Sequence, residues 1–417
     1  MRKEHLTRAL TSAALALPGI AASLPALAQM APPEKMTVGM KWLEYQDYNS
    51  KNELMGVRAP YVYMEAPLTE HIGIEASFLI DAIAGATPMA PTASSSSSGS
   101  SASTDTSSSA SGGSGRSRSA FTSLMNAAAQ ALTTEAGSTS SSSGSTSEVT
   151  DNRIAIDAKG TYYFDRAAVG LGFAHSKESD WQSNAGSLDV RVATPDNNRT
   201  YSFGVGFTHD AITSNADPLL DETRSTWEGM VGITQVLSQT QLIQSNLTLS
   251  YGSGFFDDIY RSGDIRPGER LAGAWLTRYR HYVPAFDAAV HVDYRLFLDD
   301  WGLSAHTAEL AWYQPISDDW TVRPFLRYHS QDKVRFYDSA AAPTDGSGVF
   351  TNDPRLGSFG ALAPGVAVEK SFEDGWTLEL HAEYYERNAN WHLTGDGSEG
   401  LEGLSAYVFI MGVRKSF

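Results

Sequence analysis

The chain has 417 residues, no cysteine and a formal net charge of −17 at pH 7. Without thiols it forms no disulfide, thiolate metal centre or cysteine nucleophile. The acidic excess speaks against nucleic acid as a partner, because phosphates require cations. It suits a surface or lumen exposed to divalent ions, or simply a solvated acidic protein.

Residues 1–28 read as a secretory signal peptide. Arg2, Lys3 and Arg8 supply positive charge, Ala9 to Leu24 is mostly apolar, and Ala26-Leu27-Ala28 is a small-x-small cleavage site before Gln29. Pro18-Gly19 and the short length argue against a spanning helix. Loss of this segment takes the chain to about −19, since it carries three cations and one anion. No later stretch of about 18 apolar residues exists, so a membrane-crossing form must be a closed barrel.

Beyond residue 30 the apolar pattern has period two. Ile72, Ile74, Ala76, Phe78 and Ile80 alternate with His71, Gly73, Glu75, Ser77 and Asp81. Ile154, Ile156, Ala158, Tyr162 and Phe164 alternate with Arg153, Asp157, Lys159 and Thr161, and Trp376, Leu378, Leu380, Ala382 and Tyr384 with Thr377, Glu379, His381 and Glu383. The reading gives sixteen strands near 36–47, 54–66, 71–82, 150–165, 167–178, 181–194, 199–211, 224–237, 241–255, 268–283, 285–299, 302–315, 319–337, 357–370, 375–389 and 403–417. Their connections alternate. Short turns at 67–70, Asp165-Arg166, 195–198, 238–240, Val283-Pro284, 316–318 and 373–375 interleave with connections that include long ones at 83–149, 212–223, 256–267, 338–356 and 390–402. An even strand count with both termini on the periplasmic side follows the bacterial rule. The expected fold is therefore all-β, a transmembrane antiparallel up-and-down barrel with one long Ser-rich insertion, occupying 29–417. Trp42, Tyr61, Tyr163, Trp227, Trp275, Tyr279, Trp312, Tyr328, Trp376 and Tyr407 stand near strand ends, as an interfacial aromatic girdle would.

The 83–149 segment is low-complexity: serine dominates 94–119 and 138–147. Between these runs, Phe121, Leu124, Met125, Ala128 and Leu132 share one helical face, so 120–132 is expected to be a helix inside or across the barrel mouth. Gly170, Gly172, Gly204, Gly206 and Gly232 point inward on the fifth, seventh and eighth strands; they either relieve wall curvature or leave room for that helix. The chain ends on an alternating strand, with Tyr407, Phe409, Met411, Val413 and Phe417 on one face. A terminal Phe closing such a strand is similar to the assembly signal of bacterial outer-membrane barrels, with Lys415 in place of the usual aromatic two residues earlier.

Catalytic motifs are missing. Gly252-Ser253-Gly254 lacks nucleophile-elbow spacing, Gly170-x-Gly172 lies within a strand rather than before a helix, and no HExxH or calcium loop occurs. Neither an enzymatic role nor a cofactor is expected. The inward faces of the later strands carry Arg278, Arg280, His291, Asp293, Arg295, Arg323, Arg327, His329, Glu379, His381, Glu383 and Arg387. Histidine two residues from a carboxylate can ligate a metal; the other reading is a solvated lumen ladder of opposite charges, with the arginines opposite or beside Glu369, Glu379 and Glu383.

Several phrases together resemble one family of proteobacterial outer-membrane proteins, domain of unknown function three-five-seven-zero. They are Gly73-Ile74-Glu75-Ala76-Ser77 with Asp81-Ala82-Ile83 and Gly85-Ala86-Thr87-Pro88; Arg266-Pro267-Gly268-Glu269-Arg270; Asp293-Tyr294-Arg295 with Asp300-Trp301-Gly302; and Arg327-Tyr328-His329-Ser330-Gln331 with Phe336-Tyr337. Gly254-Phe255-Phe256-Asp257-Asp258-Ile259-Tyr260 is similar to the family's aromatic-acid-proline-tyrosine segment, with Ile259 in place of proline. The resemblance implies an outer-membrane barrel and no particular activity. The expected function is a pore for a small solute. The alternatives are a plugged structural or surface-interaction barrel, a partner of a periplasmic lipoprotein or redox system, and an outer-membrane hydrolase. Expected partners are outer-membrane lipid, lipopolysaccharide and the assembly machinery.

Overall fold

The computed structural model describes residues 31–49, 53–87, 147–214, 217–258, 263–339 and 348–417. They form a closed antiparallel barrel in which each strand pairs with its sequence neighbours and the last closes on the first. The strands are β1 (Thr37–Tyr48), β2 (Glu53–Thr69), β3 (Ile72–Thr87), β4 (Ser147–Tyr163), β5 (Ala167–Lys177), β6 (Trp181–Ala193), β7 (Arg199–Thr213), β8 (Asp221–Ser238), β9 (Gln241–Gly254), β10 (Glu269–Val283), β11 (Ala288–Asp299), β12 (Ser304–Pro315), β13 (Trp320–Gln331), β14 (Phe359–Ser371), β15 (Trp376–Asn388) and β16 (Leu404–Ser416). Even the 11 residues of β5 suffice to cross a bilayer at the usual tilt.

The alternation that builds the strands also sorts their faces. On β7, Thr200 and Ser202 are buried while Tyr201, Phe203 and Val205 are exposed. On β5, Leu171 is 66% exposed and Phe173 56%. A continuous exposed apolar band around a closed barrel is stable when lipid covers it. The inner face packs by pairing large side chains with small ones on adjacent strands. Phe325 lies over Gly365, whose added Cβ would stand 2.2 Å from the Phe325 ring; Tyr63 covers Gly39 in the same way at 2.4 Å.

Closure runs from Thr37↔Ser416 to Tyr48↔Ser405 without a bulge. Phe417 donates its backbone N–H to Met36 O at 2.9 Å, and its side chain is 66% exposed. The Lys415 ammonium lies 5.3 Å from the Trp376 ring centroid and 6.0 Å from that of Phe417, which gives a cation a role at that outward position. Inside this seam, Leu43, Tyr45, Val57, Ala59, Tyr61, Leu79, Ala406, Val408 and Ile410 form a buried apolar cluster.

Three expectations need correction. The thirteenth strand ends at Gln331, not near 337, because Val334 leaves the sheet and donates to Leu356 O. The turn before β11 spans 284–287 rather than Val283-Pro284, with Asp287 at φ 48° accepting from Tyr282 Oη at 2.5 Å. Tyr61 and Tyr163 are not girdle residues; both are buried on the inner face, whereas Trp227, Trp275, Trp376 and Tyr407 are exposed outward. The signal peptide, the 120–132 helix and, apart from Ser147, the serine runs lie outside the described residues; the two ends of the expected 83–149 insertion are strand, because β3 continues to Thr87 and β4 starts at Ser147.

Candidate functional site: inner walls and mouth of the barrel

Register brings the inner charges together row by row. Arg278 faces Asp293, Asp293 faces Glu309, and Glu309 faces Arg327 across β10 to β13. Arg327 bridges Glu309 (3.0 Å) and Glu383 (3.1 Å). Arg280 takes both oxygens of Asp293, while Arg278 reaches the same carboxylate at 3.8 Å and donates to Gln244 at 3.5 Å. Arg295 lies over the Phe297 ring at 5.3 Å. Arg323 is 1% exposed; it meets the Tyr313 hydroxyl at 3.4 Å and His381 Nδ1 at 3.5 Å.

Glu379 and Glu369 do not pair with the predicted arginines. Lys41 of β1 holds Glu379 at 2.7 Å and Arg414 of β16 holds Glu369 at 3.1 Å, partners supplied by the closing strands. The histidines sit against aromatic rings: His291 on Tyr313 (4.1 Å), His381 on Phe325 (5.3 Å) and His329 on Phe359 (5.8 Å). Among the described residues no group of three His, Asp or Glu is placed to hold a metal ion.

The wall of β5 to β8 is built differently. Its inward positions include Gly172, Ala174, Ala185, Ser187, Gly204, Gly206, Thr208 and Glu228. Ser187 is exposed and the others are half-buried, so the interior is solvent-reached here. The inward glycines do not all leave free space. An added Cβ on Gly170 would meet Asp189 and Lys159, which pair at 2.5 Å, and one on Gly232 would meet Asn246. Gly204 and Gly206 have no neighbour nearer than 3.5 Å and 3.8 Å.

At the rim away from the chain ends, three connections fold inward and pack together. Phe256, Trp301, Leu303, Val334, Tyr337 and Leu356 join the inner-face Ala272, Ala274, Phe297 and Ala305 in one buried cluster. Phe256 lies over Gly252, and Gln331 donates to the carbonyls of Arg355 (2.7 Å) and Gly357 (2.8 Å). Above this cluster is an ionic core. Arg266 pairs with Asp264 (2.7 Å) and Asp353 (3.0 Å); Arg355 pairs with Asp353 and with Asp258 (2.8 Å). Asp353 also caps the 3-10 turn Pro354–Leu356 through the Arg355 N–H. Burial pushes the carboxyls of Asp257 and Asp264 up from the usual range. Burial opposes charge on Arg266 and Arg355, but the surrounding aspartates outweigh it and raise both.

Alternation and turn parity do not reveal this loop layer. Its signal was the run of aromatics outside strands (Phe255, Phe256, Trp301, Phe336, Tyr337), because a solvated loop has no use for them. It also gathers phrases on which the family resemblance rests: 254–258, 266–270, 300–302 and 336–337.

A closed barrel with an apolar outer band, a charged inner face and connections folded into one mouth is a membrane-spanning barrel of the outer-membrane class. The chain belongs to the family described as Protein of unknown function (DUF3570), whose model matches residues 7–220 and 213–408. No curated protein matches it. Among solved structures it is similar to a bacterial polysaccharide outer membrane secretin (8% identity, TM-score 0.46, covering 91% of this chain and 98% of that one). It is also similar to the siderophore receptor PirA from Pseudomonas aeruginosa (9%, 0.42, 93% and 81%) and to the CymD monoaromatic hydrocarbon channel (11%, 0.41, 94% and 91%).

Proposed function

We propose that the protein is a passive outer-membrane pore for small hydrophilic solutes, with an off-centre path along β5 to β8. The observation that carries this reading is the solvent-reached inner stretch of Ser187, Gly204, Gly206 and Thr208, beside inner walls that are mostly packed. Large barrels use a polar interior of this kind for conduction. The loop layer narrows the mouth on the β8 to β14 side and leaves the small-residue wall as the path. On this reading both chain ends are periplasmic and the loop layer is on the cell surface, which the bacterial pattern of short periplasmic turns supports. Lipid and lipopolysaccharide cover the outer band, and the assembly machinery reads the final strand.

Planar-bilayer recording tests this. The purified barrel should show stepwise conductance, and Gly206→Trp should reduce the step by at least half, whereas the outward Gly229→Trp should not. A silent barrel would select the second reading, a plugged surface-interaction protein, which the buried loop layer favours.

A further inference from the structure

The inner wall of β10 to β13 has more cationic than anionic side chains, in a chain whose net charge is −17. Arg278, Arg280 and Arg323 are each 5% exposed or less, and Asp293 is the one carboxylate within 4 Å of any of them among the described residues. Arg280 occupies that carboxylate, Arg278 is at 3.8 Å, and Arg323 meets the Tyr313 hydroxyl, the His381 ring and the face of Phe325. Glu379 and Glu383 stand nearby on β15, but Lys41 and Arg327 hold them.

Tyr313 is the common floor of His291, Arg323 and Arg280, and Arg278 joins them through Asp293, which it shares with Arg280. The His291 ring packs against Tyr313 at 4.1 Å, the Arg323 guanidinium lies 5.6 Å from the Tyr313 centroid, and Arg280 is directly opposite His291 in the ladder. Between them, Ala289 and Ala311 keep the wall low. Arg278 Nε, Arg280 Nε, Arg323 Nε and His291 Nδ1 have no hydrogen-bond partner. A guanidinium cannot shed its proton. Buried guanidinium charge is retained when an anion answers it. A planar fork of N–H donors matches a carboxylate or phosphate better than a spherical ion.

We infer that Arg280, Arg323 and His291 around Tyr313, with Arg278 beside Arg280, form an oxyanion-binding site in the barrel interior. As a statement of the solute carried, the inference rests on the pore reading; as a binding site it does not.

The test uses the refolded full-length barrel, with inorganic phosphate as the probe in equilibrium dialysis and a tenfold potassium chloride gradient in the bilayer. Saturable phosphate binding is expected. R278Q/R323Q should weaken it at least tenfold, R278K/R323K should weaken it less while keeping the charge, and the exposed outer-face R58Q should leave it unchanged. Heat-modifiable migration shows which variants fold; if the Gln pair does not, the Lys pair supplies the reading. The reversal potential should show anion preference in the parent and move towards cation preference in the Gln pair. No phosphate binding, or equal binding in all variants, overturns the site. Binding without conductance keeps the site and overturns the pore.

Discussion

At the scale of single residues, the inner wall is a surface of matched sizes. Gly365 is the clearest case, because a methyl group there would collide with the Phe325 ring at 2.2 Å and approach Ala382 O at 2.9 Å. Gly365→Ala should cost about 1–3 kcal/mol, the usual range for overpacking, and lower the urea midpoint of the barrel. Gly160→Ala is the control, since nothing lies within 4 Å of that position; its midpoint should not move. The alternation of residues made the inward placement of Arg327 and Glu383 legible, but not every partner. Lys41 is not legible as the partner of Glu379, because 338 residues separate them. Their contact exists only once β16 has brought β15 beside β1. Period two gives the face a residue points to; register across the closure gives its neighbour, and that depends on the whole ring.

At the scale of elements, the strands were readable and the loops were not. Sixteen strands followed from alternation and from the parity of short and long connections, because a strand buried on one side must repeat every two residues. A long connection has no such period. The inward fold of 255–258, 263–268, 332–339 and 348–358 depends on pairs such as Arg266–Asp353 and Arg355–Asp258, which cross between different loops. That dependence yields a prediction. Arg355→Ala removes the guanidinium shared by Asp258 and Asp353, while Asp353 keeps Arg266; a broken buried pair costs on the order of 3–5 kcal/mol. The loop layer should open while the barrel stays folded. Trp301, now 2% exposed, should shift its fluorescence to the red, and protease should cut within 332–358 in detergent-solubilised protein. Unchanged emission and protection would show that the apolar cluster alone holds the layer.

At the scale of the whole molecule, closure joins the first strand to the last. Deleting Phe417 removes the backbone bond to Met36 and the ring that lies beside Lys415. The deletion should lower the fraction of heat-modifiable barrel in the outer membrane several-fold. A normal level would mean that β16 closes without its final residue.

The apolar cluster inside the seam has a consequence for the order of assembly. Leu43, Val57 and Leu79 come from the first strands made, and Ala406, Val408 and Ile410 from the last. Until synthesis and delivery of β16 are complete, the early half of that cluster has no mate, and β1 presents an open row of amides. The most water-averse part of the interior is thus divided between the chain's beginning and its end. Contacts of such long sequence separation form late and slowly. An interrupted chain, however nearly finished, would expose a greasy edge that invites aggregation or degradation. The seam therefore works as a completeness check, satisfied when the last strand arrives.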